Sequence, residues 1–152
     1  MLDAMDATTT LDPAECWRLL HAHTLGRLAT ATDDGPRIWP INYRVREQSL
    51  IFRTAPGTKA SDIGHDGRVA FEIDGLEAGL HWSVVVLGTA HVIEQDDPGP
   101  RTERDELMPV APGRKPVLFR ITPDAVSGVR FVSALEPSPL WNDRPPAWRA
   151  PS

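Results

Sequence analysis

The chain has 152 residues, of which 41% are hydrophobic and 24% are charged. These values are ordinary for a single soluble globular domain. They argue against a largely disordered chain and against a membrane protein. A formal net charge of −5 argues against a nucleic-acid partner, although a small cationic pocket remains compatible with it.

The cellular setting follows from the cysteine count and from the first residues. Cys16 is the only cysteine, so no intrachain disulfide can form. The first ten residues lack the basic and apolar regions of a secretory signal, and no stretch approaches the roughly 18 apolar residues of a membrane span. We therefore expect a cytoplasmic protein with no membrane partner.

A short helix is predicted first in the chain. Asp12-Pro13-Ala14-Glu15 is typical of a helix start, because Asp caps free N–H groups and Pro suits the first turn. Apolar residues then recur at helical spacing from Cys16, so one face is expected to pack on a sheet, and the helix should end near Thr24.

From Leu25 the pattern becomes that of a β-meander, with strands over residues 25–32, 36–45 and 49–55. Asp33-Asp34-Gly35 is a favourable hairpin turn. Pro40 cannot donate to a strand ladder, so the second strand should lie at an edge or bulge, where its backbone is open to a ligand.

The second half of the chain adds a brief helix over 58–65, strands over 68–74 and 82–94, a possible helix over 101–107 and one or two closing strands over 117–132. Five or more antiparallel strands with few helices favour a barrel, because closure removes exposed edges. The expected organisation is a flexible N-terminus over 1–12, one domain over 13–132 and a Pro/Trp-rich tail over 133–152. In that tail Trp141 is expected to anchor to the domain surface or, alternatively, to cover a ligand.

The most informative stretch runs from Phe52 to Lys59. A strand ends in Arg53-Thr54, the chain turns on Pro56-Gly57, and a helix begins with Thr58-Lys59. Cationic side chains, hydroxyls and a helix N-terminus are groups that hold a phosphate. A solvated turn with incidental charges is the alternative. The spacing is neither that of a Walker loop nor that of a dinucleotide-binding glycine motif.

Metal and triad chemistry find no support in the sequence. His21 and His23 point to different faces of the predicted helix, and the other histidines stand alone, so no metal site is predicted. Cys16 is interpreted as a core residue. No Ser-His-Asp arrangement is evident, and no catalytic residue is nominated.

An ordered set of short motifs resembles the pyridoxamine 5′-phosphate oxidase-related flavoproteins, in the branch that includes the nitroimidazole-resistance proteins. The resemblance runs from about residue 13 to 132 and is carried above all by R-T-x-x-G-T-K between a P-I-N-Y strand and a W-S-V strand. The motifs are Glu15–Leu20, Leu25–Ala29, Trp39–Tyr43, Phe52–Thr54, Gly57–Lys59, Val69–Asp74 and Trp82–Val84 with Gly88.

The resemblance implies a mainly β fold, a six-stranded antiparallel split β-barrel with a few short helices, which forms a homodimer with one FMN per subunit. By similarity, Arg53, Thr54, Thr58 and Lys59 would hold the phosphate. The residues near the flavin ring would be Trp39, Pro40, Ile41 and Asn42, and Trp82 and Ser83 would reach in from the partner subunit. The complete implied cofactor-binding set is Trp39, Pro40, Ile41, Asn42, Phe52, Arg53, Thr54, Thr58, Lys59, Trp82 and Ser83.

The implied activity is that of an oxidoreductase in which FMN takes a hydride from NAD(P)H and reduces a small acceptor of the nitroaromatic or quinone type. The alternatives are a flavin- or haem-binding module without turnover and a reductase that uses the deazaflavin F420. Authentic pyridoxal-phosphate synthesis is not expected, because the substrate-phosphate ligands of true oxidases have no counterpart in the Pro-rich tail.

Overall fold

The computed structural model describes residues 8–93 and 117–132. The predicted helix over 101–107 and the tail over 133–152, with Trp141, lie outside the described residues. Two helices, α1 and α2, and seven strands make up the described part. Their bounds are β1 Thr9–Thr10, α1 Pro13–Ala22, β2 Leu25–Thr32, β3 Gly35–Arg46, β4 Ser49–Thr54, α2 Thr58–Asp66, β5 Arg68–Glu77, β6 Leu80–Val92 and β7 Val117–Phe131.

Six antiparallel strands close into a barrel. The order in the sheet is β1-β7-β4-β3-β2-β5-β6, and β6 also pairs with β7, so strands β2 to β7 form a complete ring. The two-residue β1 adds a seventh strand at the edge of β7. The predicted antiparallel barrel is therefore confirmed, with a small strand added at its N-terminus.

The ring opens between the first part of β3 and β4, although the two strands pair further along. β3 pairs with β2 from Gly35 to Asn42, but its pairing with β4 begins only at Tyr43. Among the described residues, positions 35–42 of β3 thus have a ladder partner on one side only. Pro40 lies in this stretch, which confirms the predicted edge position and reconciles a proline with a strand inside the sheet.

The core fills the barrel and is closed by the two helices. Tyr43 and Phe71 meet edge to face at 4.7 Å, and Phe52 stacks on Phe119 at 5.3 Å. Helix α1 buries Cys16 and two leucines against the barrel. Helix α2 packs on β2 and β6 and buries Ile63, which is 1% exposed.

The described part of the N-terminal segment, residues 8–12, contacts the barrel. Thr9 and Thr10 pair with Arg130 and Val129 of β7, and Leu11 is 7% exposed. The Asp12 side chain accepts a hydrogen bond from the Glu15 N–H at 2.8 Å, as its capping role predicts. Residues 8–12 therefore join the barrel through strand pairing and through burial of Leu11.

Three tight connections set the strand register. Gly35, with φ of 113°, completes the β2–β3 turn, whose prediction is confirmed. Glu47 and Gln48 form the β3–β4 turn with φ of 48° and 56°, and Ala78 and Gly79 join β5 to β6 with φ of 51° and 77°. Consecutive positive φ values suit the right-handed twist of hairpin strands. No helix of the described residues has the length and apolarity needed to cross a membrane.

Candidate functional site

The opening of the barrel is bordered by four pieces of chain. These are residues 35–42 of β3, the end of β4 at Thr54, the loop over 55–57 and the first turn of α2. We call this region the split. The first turn of α2 follows β4 directly, so the fold brings the cationic turn predicted from the sequence to the unpaired stretch of β3.

Two contacts fix α2 beside β3. The Nζ atom of Lys59 lies 5.4 Å from the ring centroid of Trp39, and Nη1 of Arg37 lies 3.3 Å from Oδ2 of Asp62. Arg37 and Trp39 are two residues apart and share one face of the strand, whereas Lys59 and Asp62 are one helical turn apart. The helix, which packs on β2 and β6, therefore reaches β3 through the side chains of Lys59 and Asp62.

Among the described residues, no side chain caps the start of α2. Gly57 occupies the N-cap position with φ of 148°, a conformation that favours glycine, and its carbonyl accepts the Ser61 N–H at 3.0 Å. Thr58 is exposed beside it. The free N–H groups of the first turn and the Thr58 hydroxyl can therefore donate to an anion.

Lys59 supplies the positive charge at this point. Its side chain is half-buried, and desolvation lowers the pKa of its ammonium from 10.5. Within residues 8–93 and 117–132, no carboxylate lies within ion-pair distance of Lys59. A partly desolvated cation that lies over an aromatic ring is suited to an anionic ligand.

Arg53 and Thr54 lie at the end of β4, one on each face of the strand. Arg53 is half-buried and its side chain interacts with a neighbour, while its buried Nε atom has no hydrogen-bond partner among the described residues. Thr54 is 8% exposed, and its hydroxyl lies 3.3 Å from the Ala55 carbonyl oxygen, to which it donates. Both residues border the split, and their part in binding stays a prediction.

Comparison with known proteins identifies the family. The profile of the pyridoxamine 5′-phosphate oxidase family matches residues 12–130. The chain belongs to this family. An uncharacterized protein of Mycobacterium tuberculosis is 32% identical over 93 residues, which are 61% of this chain and 84% of that protein.

Two solved structures share both sequence and fold with this family member. A FAD-binding protein from Mesorhizobium loti is 28% identical with a TM-score of 0.71, over 84% of this chain and 98% of that chain. A FAD-binding protein from Mycobacterium smegmatis is 34% identical with a TM-score of 0.67, over 85% of this chain and 99% of that chain.

The remaining predicted residues of β3 differ in exposure, because alternate side chains lie on opposite faces of the strand. Trp39 is half-buried, and its indole Nε1 donates to the Thr30 hydroxyl at 3.4 Å. Pro40 and Asn42 are exposed, whereas Ile41 is 4% exposed and belongs to the core. A ligand along this edge would thus meet the side chains of Trp39 and Asn42 but only the backbone of Ile41.

Phe52 also lies in the core. Its side chain is fully buried and stacks on Phe119, so it supports β4 from inside the barrel. Any contact with a cofactor at this position would involve the backbone.

The structure places Trp82 and Ser83 on β6, which does not border the split. Trp82 is 2% exposed and packs 4.8 Å from the His23 ring within the same protomer. Its contact with a flavin of the partner subunit stays a prediction. Ser83 is half-buried. Both line a cavity of about 350 Å³ on the β5–β6–β7 side, with Glu72, Asp74, Gly75, Leu76, His81 and Phe131.

Sequence reasoning missed Arg37 and Asp62. The alternation of Arg37, Trp39 and Ile41 along a predicted strand places their side chains on one face, and this pattern can be recognised from the sequence. The pairing of Arg37 with Asp62 cannot be recognised in this way, because the two residues are 25 positions apart and meet only in the folded chain.

Proposed function

We propose that this chain is a flavin-dependent oxidoreductase that holds FMN, or the FMN portion of a larger flavin, in the split. The observation that carries the proposal is Lys59, a half-buried cation above Trp39 at an uncapped helix start. The two solved relatives named as FAD-binding proteins, at 28% and 34% identity, support a flavin as the ligand.

The residues divide the binding task between the two ends of the flavin. Lys59, the Thr58 hydroxyl and the first-turn N–H groups of α2 would hold the phosphate, with Arg53 beside them. The ring would lie along residues 39–42 of β3, where backbone groups face the opening because β4 does not pair with them. Hydrogen bonds donated from this edge would favour the negative charge of the reduced ring.

A bound flavin would supply the redox chemistry, taking a hydride from a nicotinamide donor and passing two electrons to a small nitroaromatic or quinone acceptor. The protein's part is to orient the ring and to exclude water from one of its faces. Trp39 would provide an apolar wall for this purpose.

A second copy of the chain is part of the proposal. On the outer face of the barrel the register places Ile38 beside Ala29, Ala29 beside Ala70 and Ala70 beside Leu87. Ile38 is 70% exposed and Leu87 is 50% exposed, so this row is an apolar surface across four strands. Burial of such a row supports a homodimer in which the partner walls in the flavin.

The dimer is tested by charge insertion into the row. Ile38→Glu combined with Leu87→Glu should convert the dimer to a monomer in light scattering after size exclusion, while His91→Glu, at an exposed position near the end of β6, should leave the dimer intact. A monomeric native chain, or a dimer that survives both glutamates, contradicts this interface.

The function is tested by titrating the purified protein with FMN, F420 and haem and then mixing the loaded protein with NADH or NADPH under anaerobic conditions. Flavin fluorescence should be quenched on binding, and the flavin absorbance should bleach rapidly and return when a quinone or nitroaromatic is added. Bound flavin that no nicotinamide reduces would favour a binding module without turnover. Binding of F420 or haem in place of FMN would refute the flavin assignment.

A further inference from the structure

Two positively charged side chains, those of Lys59 and Arg37, lie one after the other along one face of β3. Lys59 lies over Trp39, and Arg37 is the next residue on the same face in the direction away from Asn42. Alternate residues of a strand are about 7 Å apart. Arg37 thus provides a second positive charge, with its backbone about 7 Å along β3 from that of Trp39, over which Lys59 lies.

Arg37 makes two ion pairs that differ in exposure. Its Nη1 lies 3.3 Å from Asp62, and its Nη2 lies 3.8 Å from Asp34, whose side chain is 88% exposed. The Arg37 side chain is itself 36% exposed. The exposed Asp34 pair contributes little to stability, so Nη2 of the guanidinium can turn toward a phosphate at small cost while Nη1 keeps its contact with Asp62.

The chemical order of a flavin dinucleotide matches the order of these groups. With the ring beside residues 39–42 and the first phosphate at Lys59, whatever extends from that phosphate continues toward Arg37. We infer that Arg37 determines cofactor specificity by holding the second phosphate of FAD, so that the split binds FAD more tightly than FMN. This inference rests on the proposed flavin function.

The Asp62 carboxylate has the opposite effect to Arg37, because it repels the phosphate that the guanidinium attracts. The Asp62 side chain is 12% exposed and has Arg37 as its partner, so it competes with the second phosphate for the guanidinium. Removing the charge at Asp62 should release Arg37 to the ligand and remove a repulsion, whereas removing the charge at Arg37 should do the opposite.

The test measures dissociation constants for FMN and FAD, by quenching of flavin fluorescence, in the native chain and in three variants. Arg37→Met should weaken FAD binding by about tenfold or more and leave FMN binding within about threefold, since a charge-assisted hydrogen bond is lost only with FAD. Asp62→Asn should strengthen FAD binding relative to FMN. Arg37→Lys, which keeps a charge near Asp62 but loses the two-pronged donor, should fall between the native chain and Arg37→Met.

The outcomes separate this inference from the proposed function. Equal effects of Arg37→Met on FMN and FAD, or weaker FAD binding in Asp62→Asn, would overturn the role of Arg37 while flavin binding stands. Failure of the native chain to bind either flavin would overturn the proposed function itself. Circular dichroism melts establish that each variant is folded, and if Arg37→Met does not fold, the opposite shifts expected of Arg37→Lys and Asp62→Asn decide the question.

Discussion

Replacing Lys59 with Met removes the ammonium while keeping an unbranched apolar side chain over Trp39. The fold should lose only the cation–π contact, worth about 0.5–1 kcal/mol at a partly exposed site. Flavin binding should lose a charge-assisted hydrogen bond to phosphate, worth roughly 1.5–3 kcal/mol, which corresponds to about a 10- to 150-fold weaker affinity. The variant should therefore separate ligand binding from stability.

The assay is a fluorescence titration with FMN, paired with a thermal melt of the unliganded protein. Lys59→Arg is the control that preserves charge. Because burial lowers the pKa of Lys59 from 10.5, native affinity should decline at a lower pH than an ordinary lysine would dictate, and this alkaline decline should vanish in Lys59→Met. Unchanged affinity in Lys59→Met, with an unchanged pH profile, would refute the phosphate assignment.

The remaining predictions concern the scaffold. Gln48→Gly should stabilise the chain by about 0.5–1 kcal/mol in urea titrations, because relief of the left-handed φ of 56° exceeds the entropic cost of glycine, and Gln48→Ala should not. Gly88→Ala should destabilise it by about 1–3 kcal/mol, since a Cβ there would overlap a backbone carbonyl of β7 at the bulge, and an unchanged melting temperature would contradict this packing. Arg18 and Arg130 lower the pKa of Glu15 from 4.5 to about 2, so its contribution is present above pH 4.5 and is lost as the pH falls through about 2; Glu15→Gln should flatten the stability profile in that window.

Local chemistry explains which elements were predictable. The Asp12 cap, the alternation along β2 and the Asp-Asp-Gly turn are each specified by neighbouring residues, so α1 and the first hairpin were predicted close to their observed bounds. The helix ends at Ala22, two residues before Thr24, and His23 is already extended, with φ of −119° and ψ of 161°. The Ala78-Gly79 hairpin turn was missed, since alanine gives no indication of the positive φ that it adopts.

The site was predictable only in part, for a physical reason. The cationic turn over 52–59 is contiguous in sequence, so its residues were identified together. The pairing of Arg37 with Asp62 and the burial of Trp82 depend on how distant elements pack, and no local pattern encodes them. Residues that acquire their surroundings through long-range contacts are therefore the hardest to identify from the sequence.

A crystal structure of the chain grown with flavin tests the central claim most directly. The account predicts the first phosphate against Lys59 and the start of α2, with the ring along residues 39–42 of β3. Flavin bound in the cavity beside Ser83 with its phosphate there, and with the start of α2 facing bulk solvent, would contradict it.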